Sequence, residues 1–485
     1  MYIYILISIL TLLILATLTI KNINIISYVN IFCIFILFLL VCAIGFYINQ
    51  YDYISFFNNV IYIDSFSVIE LFIISSVSFI TSIYSHKYIG DEIKEGIIST
   101  RKGKLYYILF DIFIISMLFL SICNNILGMW IGLEATTLST AFLIGFNNSK
   151  LSIEAAWKYI MICSIGIAIG LIGIILFMYS INTRVDGSML QWTYLLHAKN
   201  TFNKDIVKVA FTFIFVGIGT KAGFAPMHTW LSDGHSEAPS PISAMMSGIL
   251  INLALYVIIR FYIIVKLIDG LENINYLFIA FGCISLIVST FSIIKQTNYK
   301  RLLAFSSIEN IGIMSLGIGF GGTLGVFGYL LHSLIHAYGK TLLFLSAGNI
   351  LRAYKTKRIE KIKYLIKTMP INSVIIIIGI LIITGTPPFA SFFSEFNILM
   401  QGYNNGHYIS VFILVIALLL AFVGFLICFM KMIFSHENIE YKKNDKDNEN
   451  IFPLILTLGF AVFISITFNN LLYPIINKAV IIICS

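Results

Sequence analysis

Apolar runs long enough to cross a lipid bilayer follow one another along almost the whole chain, separated by short polar joints. They fall at about 2–20, 25–48, 65–85, 105–122, 124–145, 155–180, 206–227 and 241–265, then at 274–294, 302–320, 323–349, 370–400, 408–434 and 451–477. A helix needs roughly 20 apolar residues to cross a hydrocarbon core of ~30 Å. The pattern therefore predicts an all-α polytopic membrane protein with about fourteen transmembrane helices. The joints at Asn124–Asn125 and Gly321–Gly322 are tight, as antiparallel neighbours require. The first run, Ile3 to Ile20, has no basic leader and no small-residue cleavage site, so it reads as a retained helix rather than a signal peptide. The joints are mostly too short to fold alone, which predicts a single membrane domain over 1–485.

Composition sharpens this reading. Hydrophobic residues make up 59% of the 485 positions and charged residues only 11%, too few to cover a water-facing surface. With the N-terminus outside, twenty-two Lys and Arg fall on the inner side, Arg101, Arg352, Lys442, Lys443 and Lys446 among them. Seven fall outside: Arg184, Lys199, Lys204, Lys208, Arg260, Lys266 and Lys478. The net charge of +8 is thus a topology signal of the positive-inside kind and not a nucleic-acid surface. The seven cysteines are scattered without a CxxC pair, which suits packing residues rather than a metal site or disulfide framework. No phosphate loop, nucleotide fingerprint or nucleophile triad is present, so the chain reads as a conduit without a redox centre of its own.

Two runs are interrupted. The seventh contains Gly219, Gly223 and Pro226, and the twelfth contains Gly385 and Pro387–Pro388. Proline removes a backbone donor and clashes with the preceding turn, so both helices are expected to break. The alternative is a pair of ordinary proline kinks, but each break sits beside an ionisable residue. Glu134 lies midway along the fifth run, Lys221 beside the first break and Glu395 just after the second. His332, His336 and Lys340 recur at i, i+4 and i+8 on one face of the eleventh run. A charge at the bilayer centre costs at least ~2.5–3.5 kcal/mol, so these groups are expected to face one another or water. Separating a Glu/Lys pair favours loss of the lysine proton and protonation of the carboxylate, which is what a proton pump needs. Neutral imidazoles bridged by water form a relay. Glu309 heads a second rank that includes Ser247 and Asn252. His228, Asp233, His235 and Glu237 form either a proton entrance or a solvated loop. Asp111 and Glu70 lie near expected helix starts, Asp64 reads as a cap or interfacial contact, and Lys158 as a snorkelling cation.

The segments LEATTLSTAFLIGF, GTKAGFAPMHTWLSDGHSEAPSPISAMMSGILINLALYVIIRF, YKRLLAFSSIENIGIMSLG and LLHSLIHAYGKTLLFLSAGNI resemble those of the antiporter-like family shared by respiratory complex I, multisubunit Na⁺/H⁺ antiporters and energy-converting [NiFe] hydrogenases. The resemblance runs from about Tyr106 to Leu399, and EATTLSTA, IEAAWKY, SSIEN and NLALY are most similar to the hydrogenase-4 component F branch. It implies inverted repeats over 105–265 and 274–434, flanked by helices at 1–85 and 451–477. It places Glu134 and Lys221 at the family's charge-pair positions, His332, His336 and Lys340 on its helix-eleven relay, and Glu395 at the terminal position of the second broken helix. Two positions depart from the pattern: Asn252 stands where complex I relatives carry a Lys or His, and no carboxylate occurs around Ile165–Ile167.

The resemblance implies a proton-translocating subunit of a membrane-bound hydrogenase in a bacterial inner membrane, with other membrane subunits and a cytoplasmic hydrogenase arm as partners. NiFe and Fe–S centres are then expected in those partners and no cofactor in this chain. A complex I pumping subunit, a Na⁺/H⁺ antiporter subunit and a non-conducting anchor are the alternatives.

Overall fold

The computed structural model describes residues 2–181, 190–435 and 450–485; Arg184, Lys442, Lys443 and Lys446 lie outside them. The chain is helical throughout: α1 (Tyr2–Thr19), α2 (Ile23–Tyr51), α3 (Ser65–Lys94), α4 (Thr100–Ile122), α5 (Ile126–Ile144) and α6 (Lys150–Tyr179) come first. Then follow α7 (Lys204–Ala222), α8 (Thr229–Glu237), α9 (Ser240–Lys266), α10 (Asn275–Ile294), α11 (Tyr299–Gly319) and α12 (Gly322–Tyr354). The last are α13 (Pro370–Ile383), α14 (Ala390–Asn404), α15 (Tyr408–Phe434), α16 (Phe452–Thr467) and α17 (Tyr473–Cys484). Among the described residues, nine helices are long and apolar enough to cross a membrane unaided. Sequence sets their starts: Asn22, Asp64, Ser99, Asn125, Ser149, Asn203 and Asn298 each accept an otherwise orphaned N–H of the first turn.

Both expected breaks are present. α7 stops at Gly223, whose φ of +86° is the left-handed cap, and the chain resumes as α8 beyond Pro226. α13 ends before Gly385 (φ +63°) and Pro387–Pro388, and resumes as α14. The final run, expected to be continuous over 451–477, is also divided: α16 ends at Thr467 and α17 starts at Tyr473. Pro474, at the start of α17, suits a first turn, where no N–H is needed. One short hairpin, β1 (Tyr53–Phe56) against β2 (Ile61–Asp64), adds a two-stranded sheet to the all-α plan. It marks one face of the bundle, here the hairpin side. The loops at 295–301 and 352–367 mark the opposite, basic side.

Packing follows residue size. α6 turns Trp157, Met161, Ile165 and Ile172 outward, an apolar stripe suited to lipid. Its other face carries Gly166, Gly170 and Gly173 against α7, and a Cβ on Gly217 would strike the Gly170 backbone and lie 2.6 Å from the Gly166 carbonyl. Small residues bring these two backbones into direct contact, the usual source of association where lipid removes the hydrophobic driving force. α3 is mostly buried and α9 almost completely so, and both form the interior wall of the bundle.

Several charges are not where the apolar pattern put them. α4 begins at Thr100, so Asp111 is no first-turn residue; it lies buried in mid-helix and accepts from the Asn30 amide. The polar residues before the apolar run extend that helix. Arg260, counted with the outer loops, is buried in α9 and ion-paired to Asp64 at 2.6 and 2.7 Å. Asp64 also caps α3 through the Ser67 N–H. Glu70 is fully buried in the second turn of α3. Lys158 does reach the basic side, where it meets Glu154 at 2.6 Å and Asp233 at 3.1 Å.

Gly217→Leu is expected to abolish recovery of folded subunit after detergent extraction, because it drives a side chain into the α6 backbone. Gly90→Ala, where a Cβ meets nothing within 4 Å, is expected to leave recovery unchanged. Size-exclusion chromatography of the solubilised proteins reads both.

Candidate functional site

Two buried lysines are held in the same way. Lys221 lies in the last turn of α7, where unsatisfied carbonyls favour a cation. It donates to the Leu133 carbonyl and to the hydroxyls of Thr136 (2.6 Å) and Thr137, all on α5. Those hydroxyls spend their own protons on the same Leu133 carbonyl, at 2.7 and 3.1 Å. Their lone pairs are left to face the lysine. An ammonium has three donors and no acceptor, so three acceptors satisfy it.

On α12, Lys340 donates to the Leu303 carbonyl (3.0 Å) and to Ser306 Oγ, both on α11. Ser306 and Ser307 return their protons to Leu303 at 3.0 and 3.2 Å. The segments Leu133–Thr137 and Leu303–Ser307 share one pattern, a leucine carbonyl with hydroxyls at i+3 and i+4.

The expected Glu134–Lys221 pair is open. Glu134 is half-buried and accepts from Ser164 at 3.3 Å through Oε1, while its Oε2 has no partner among the described residues. Glu134 directly follows Leu133, and that carbonyl and the next two hydroxyls already occupy the lysine.

His332 is fixed at both ring nitrogens. Asn310 donates its amide proton to the Ser306 carbonyl at 2.6 Å, which turns its Oδ1 toward His332 Nε2 at 2.8 Å. Nε2 must then carry the proton, and Nδ1 accepts from Ser394 Oγ at 2.9 Å. The same Ser394 hydroxyl lies 2.7 Å from the Ser391 carbonyl. One hydroxyl proton cannot serve both, so protonation of Nδ1 sends it to Ser391. His336 lies one turn along, its ring nearly parallel to His332 at 6.4 Å, with no partner at either nitrogen among the described residues. Glu395 follows Ser394, and its carboxyl fills the space where a Gly385 Cβ would stand. Its Oε1 is buried without a protein partner. Glu309, next to Asn310, is buried within electrostatic reach of Lys340 and Glu395.

α9 packs beside the Lys340 centre. Residues Met246–Leu250 form a π-turn, a feature frequent at functional sites. Within it Ser247 Oγ meets Ser307 Oγ at 2.6 Å, beside the hydroxyl that holds Lys340. Asn252 donates to the Gly248 and Ser333 carbonyls at 3.2 and 3.3 Å and keeps a buried Oδ1 free.

The polar residues after the first break do not form one cluster. Asp233 is bound to Lys158 and Arg301, and Glu237 to Lys357, all on the basic side. His228 lies beside Phe305, while His235 is fully buried against Phe344 without a hydrogen-bond partner on its ring. Sequence reasoning passed over Thr136, Thr137, Ser306, Asn310 and Ser394. The hydroxyl pairs of EATT and FSS were the visible signal for three of them.

Residues 123–421 match the family described as NADH:quinone oxidoreductase/Mrp antiporter, TM. The chain belongs to that family. Among curated relatives, the antiporter-family chain is 34% identical over 344 residues to a hydrogenase-4 component F homolog of Methylacidiphilum infernorum, covering 70% of this chain and 72% of that one. It is 31% identical to hydrogenase-4 component B of Escherichia coli, over 68% of this chain and 49% of the relative. To NADH-quinone oxidoreductase subunit L of Campylobacter jejuni it is 28% identical, over 80% of this chain and 62% of the relative. The match therefore spans about half of component B and less than two thirds of subunit L. Two solved structures share the family fold at a TM-score of 0.86, each covering all of this chain and 97% of the other. They are a chain of the archaeal membrane-bound sulfane sulfur reductase (23% identical) and one of the Mrp complex from Dietzia sp. (17% identical). The chain is thus a multi-pass, membrane-embedded antiporter-family protein. Glu134, Lys221, His332, His336, Lys340 and Glu395 all fall within the matched stretch.

Gly385→Ala is expected to lower the thermal midpoint of the purified complex, since a left-handed non-glycine residue costs about 1–2 kcal/mol and the new methyl also displaces the Glu395 carboxyl. Gly459→Ala, where a Cβ meets nothing, is the matched control.

Proposed function

We propose that this chain is the proton-translocating membrane subunit of a membrane-bound [NiFe] hydrogenase complex, coupling electron transfer in partner subunits to proton movement. The observation that carries the reading is the pair of buried lysines, each in a carbonyl-and-hydroxyl seat and each followed by unsatisfied ionisable groups. The 34% identity to a hydrogenase-4 component F homolog supports the hydrogenase branch. Likeness to subunit L supports a second reading, a pumping subunit of NADH:quinone oxidoreductase. NiFe and Fe–S centres and a cytoplasmic hydrogenase arm belong to the partners, and this chain supplies the conduit.

The proton enters from the basic side near the α7–α8 break and reaches Lys221 and Glu134. It crosses by Ser247 and Ser307 to Lys340, His336 and His332, and leaves past Glu395 toward the hairpin side. Buried polar atoms without protein partners, as on His336, Glu134 and Glu395, take water instead. At His332 the step is defined: Nδ1 gains a proton, and Ser394 turns its own to Ser391. The matching breaks and lysine seats support inverted repeats over 105–265 and 274–434. The hairpin side is the outer one, with the N-terminus outside and the basic loops in the cytoplasm of a bacterial cell.

In inverted vesicles, Lys221→Ala and Glu395→Gln are expected to lose proton uptake while hydrogenase turnover and complex abundance hold. Unchanged uptake in both would leave a non-conducting anchor. Orientation is checked separately: a membrane-impermeant maleimide should label Asn405→Cys in intact cells, and Lys355→Cys only in inverted vesicles.

A further inference from the structure

α3 carries a polar face that the midplane line does not use. Ser67, Glu70, Ser78, Thr81, Ser85, Tyr88 and Glu92 recur at helical spacing along it, interrupted only at Ile74. At its hairpin-side end the charges are arranged with care. Arg260 places both terminal nitrogens on Asp64, at 2.7 and 2.6 Å, and donates to Ser67 Oγ at 2.8 Å. Its guanidinium lies among the rings of Trp192, Tyr256 and Phe66, 4.5 to 5.1 Å from their centres. Tyr256 closes the group with Oη 3.0 Å from Ser67 Oγ. Asp64 and Arg260 balance each other, so this centre has no charge left to give.

One helical turn past Ser67 stands Glu70. It is fully buried, and neither of its carboxyl oxygens has a protein partner among the described residues. Within electrostatic reach of it lie Arg260 from α9 and Tyr329 from α12, whose hydroxyl is also unpartnered among the described residues. Asp64 caps the start of its helix, ahead of it in the chain. α17 also packs on α3, but its Lys478 is spent on Asp52 and on the carbonyls of Ile48 and Asn49. Arg260 keeps one nitrogen, Nε, without a partner. Tyr329 precedes His332 by one turn of α12.

An isolated carboxylate buried in this way carries a penalty of several kcal/mol that only a proton or a cation removes. The buried cation beside Glu70, Arg260, already rests on Asp64, nearly two turns back along the chain. We infer that Glu70 is a further proton-binding site at the hairpin-side end of the conduit, which holds a proton while Arg260 rests on Asp64 and gives it up when the guanidinium turns from Asp64 to Glu70. The Glu70 O–H bond breaks and its carboxylate is paired by the guanidinium, while the proton passes to the Asp64 carboxylate that the guanidinium has left; when Arg260 returns, that proton leaves to the hairpin side and Glu70 takes up another. Asp64 meanwhile keeps the Ser67 N–H. This site rests on the proton-translocating reading above and adds a release point on α3, reached from His332 by way of Tyr329.

The test uses the whole membrane complex, reconstituted in vesicles, with Glu70→Gln, Glu70→Asp and Asp64→Asn. Infrared spectra at neutral pH are expected to show a protonated carboxylic acid band that Glu70→Gln removes and Glu70→Asp shifts. Asp64→Asn should remove the same band, because the freed Arg260 turns to Glu70 and ionises it; a merely structural role for Glu70 predicts no such loss. Proton uptake should fall to the leak level in Glu70→Gln with turnover retained, and return in Glu70→Asp. A wild-type spectrum in Glu70→Gln, or wild-type uptake in that variant, overturns the site. If Lys221→Ala stops uptake and Glu70→Gln does not, the conduit stands and this site falls. If neither changes uptake, the conduit itself falls. Should Glu70→Gln fail to assemble, the band shift and uptake of Glu70→Asp decide alone, an unshifted band counting against the site.

Discussion

A donor-only cation inside a hydrocarbon slab must find acceptors that no other group needs, and both halves of this chain meet that demand by the same device. A leucine carbonyl takes the protons of two hydroxyls one turn ahead, which leaves those hydroxyls with nothing but lone pairs to present. Lys221 and Lys340 each settle on such a seat. The seat holds a lysine without fixing it to a carboxylate, so Glu134 is left open to respond to charge elsewhere. An Asp or Glu clasped to each lysine would be more stable and less responsive.

Around the Lys340 seat the groups are linked by hydroxyls and amides rather than by further charge. Ser247 touches Ser307, Asn252 touches the Ser333 carbonyl, and Asn310 sets the tautomer of His332. Hydroxyls relay protons without holding them, and so they add no desolvated charge to the middle of the membrane.

Much of this was legible in the sequence, and the misses have common causes. The spans, the two proline breaks and the six ionisable groups follow from hydropathy and from the cost of buried charge. The fates of Asp111 and Arg260 do not, because apolar runs mark where lipid begins and not where a helix begins. Lys and Thr residues ahead of the fourth run extend α4 by more than a turn, and Arg260 is drawn inward by Asp64, 196 residues away in the chain. The open Glu134–Lys221 pair was equally hidden. The resemblance placed the two residues at paired positions, but which acceptor the lysine takes is decided by the side on which Leu133, Thr136 and Thr137 present themselves. The break at the end of α16 had only Asn469–Asn470 and Pro474 to announce it.

The glycine contact between α6 and α7 has a mechanical meaning. With the Gly217 position set against the backbone of Gly166 and Gly170, there is no clearance for α7 to slide or roll without tearing that seam. The helix that bears Lys221 is therefore a fixed post and not a piston. Travel of its ammonium relative to α6 then comes from torsion of the lysine's own four-carbon arm, so its range is a side chain's length and its timescale that of rotamer exchange.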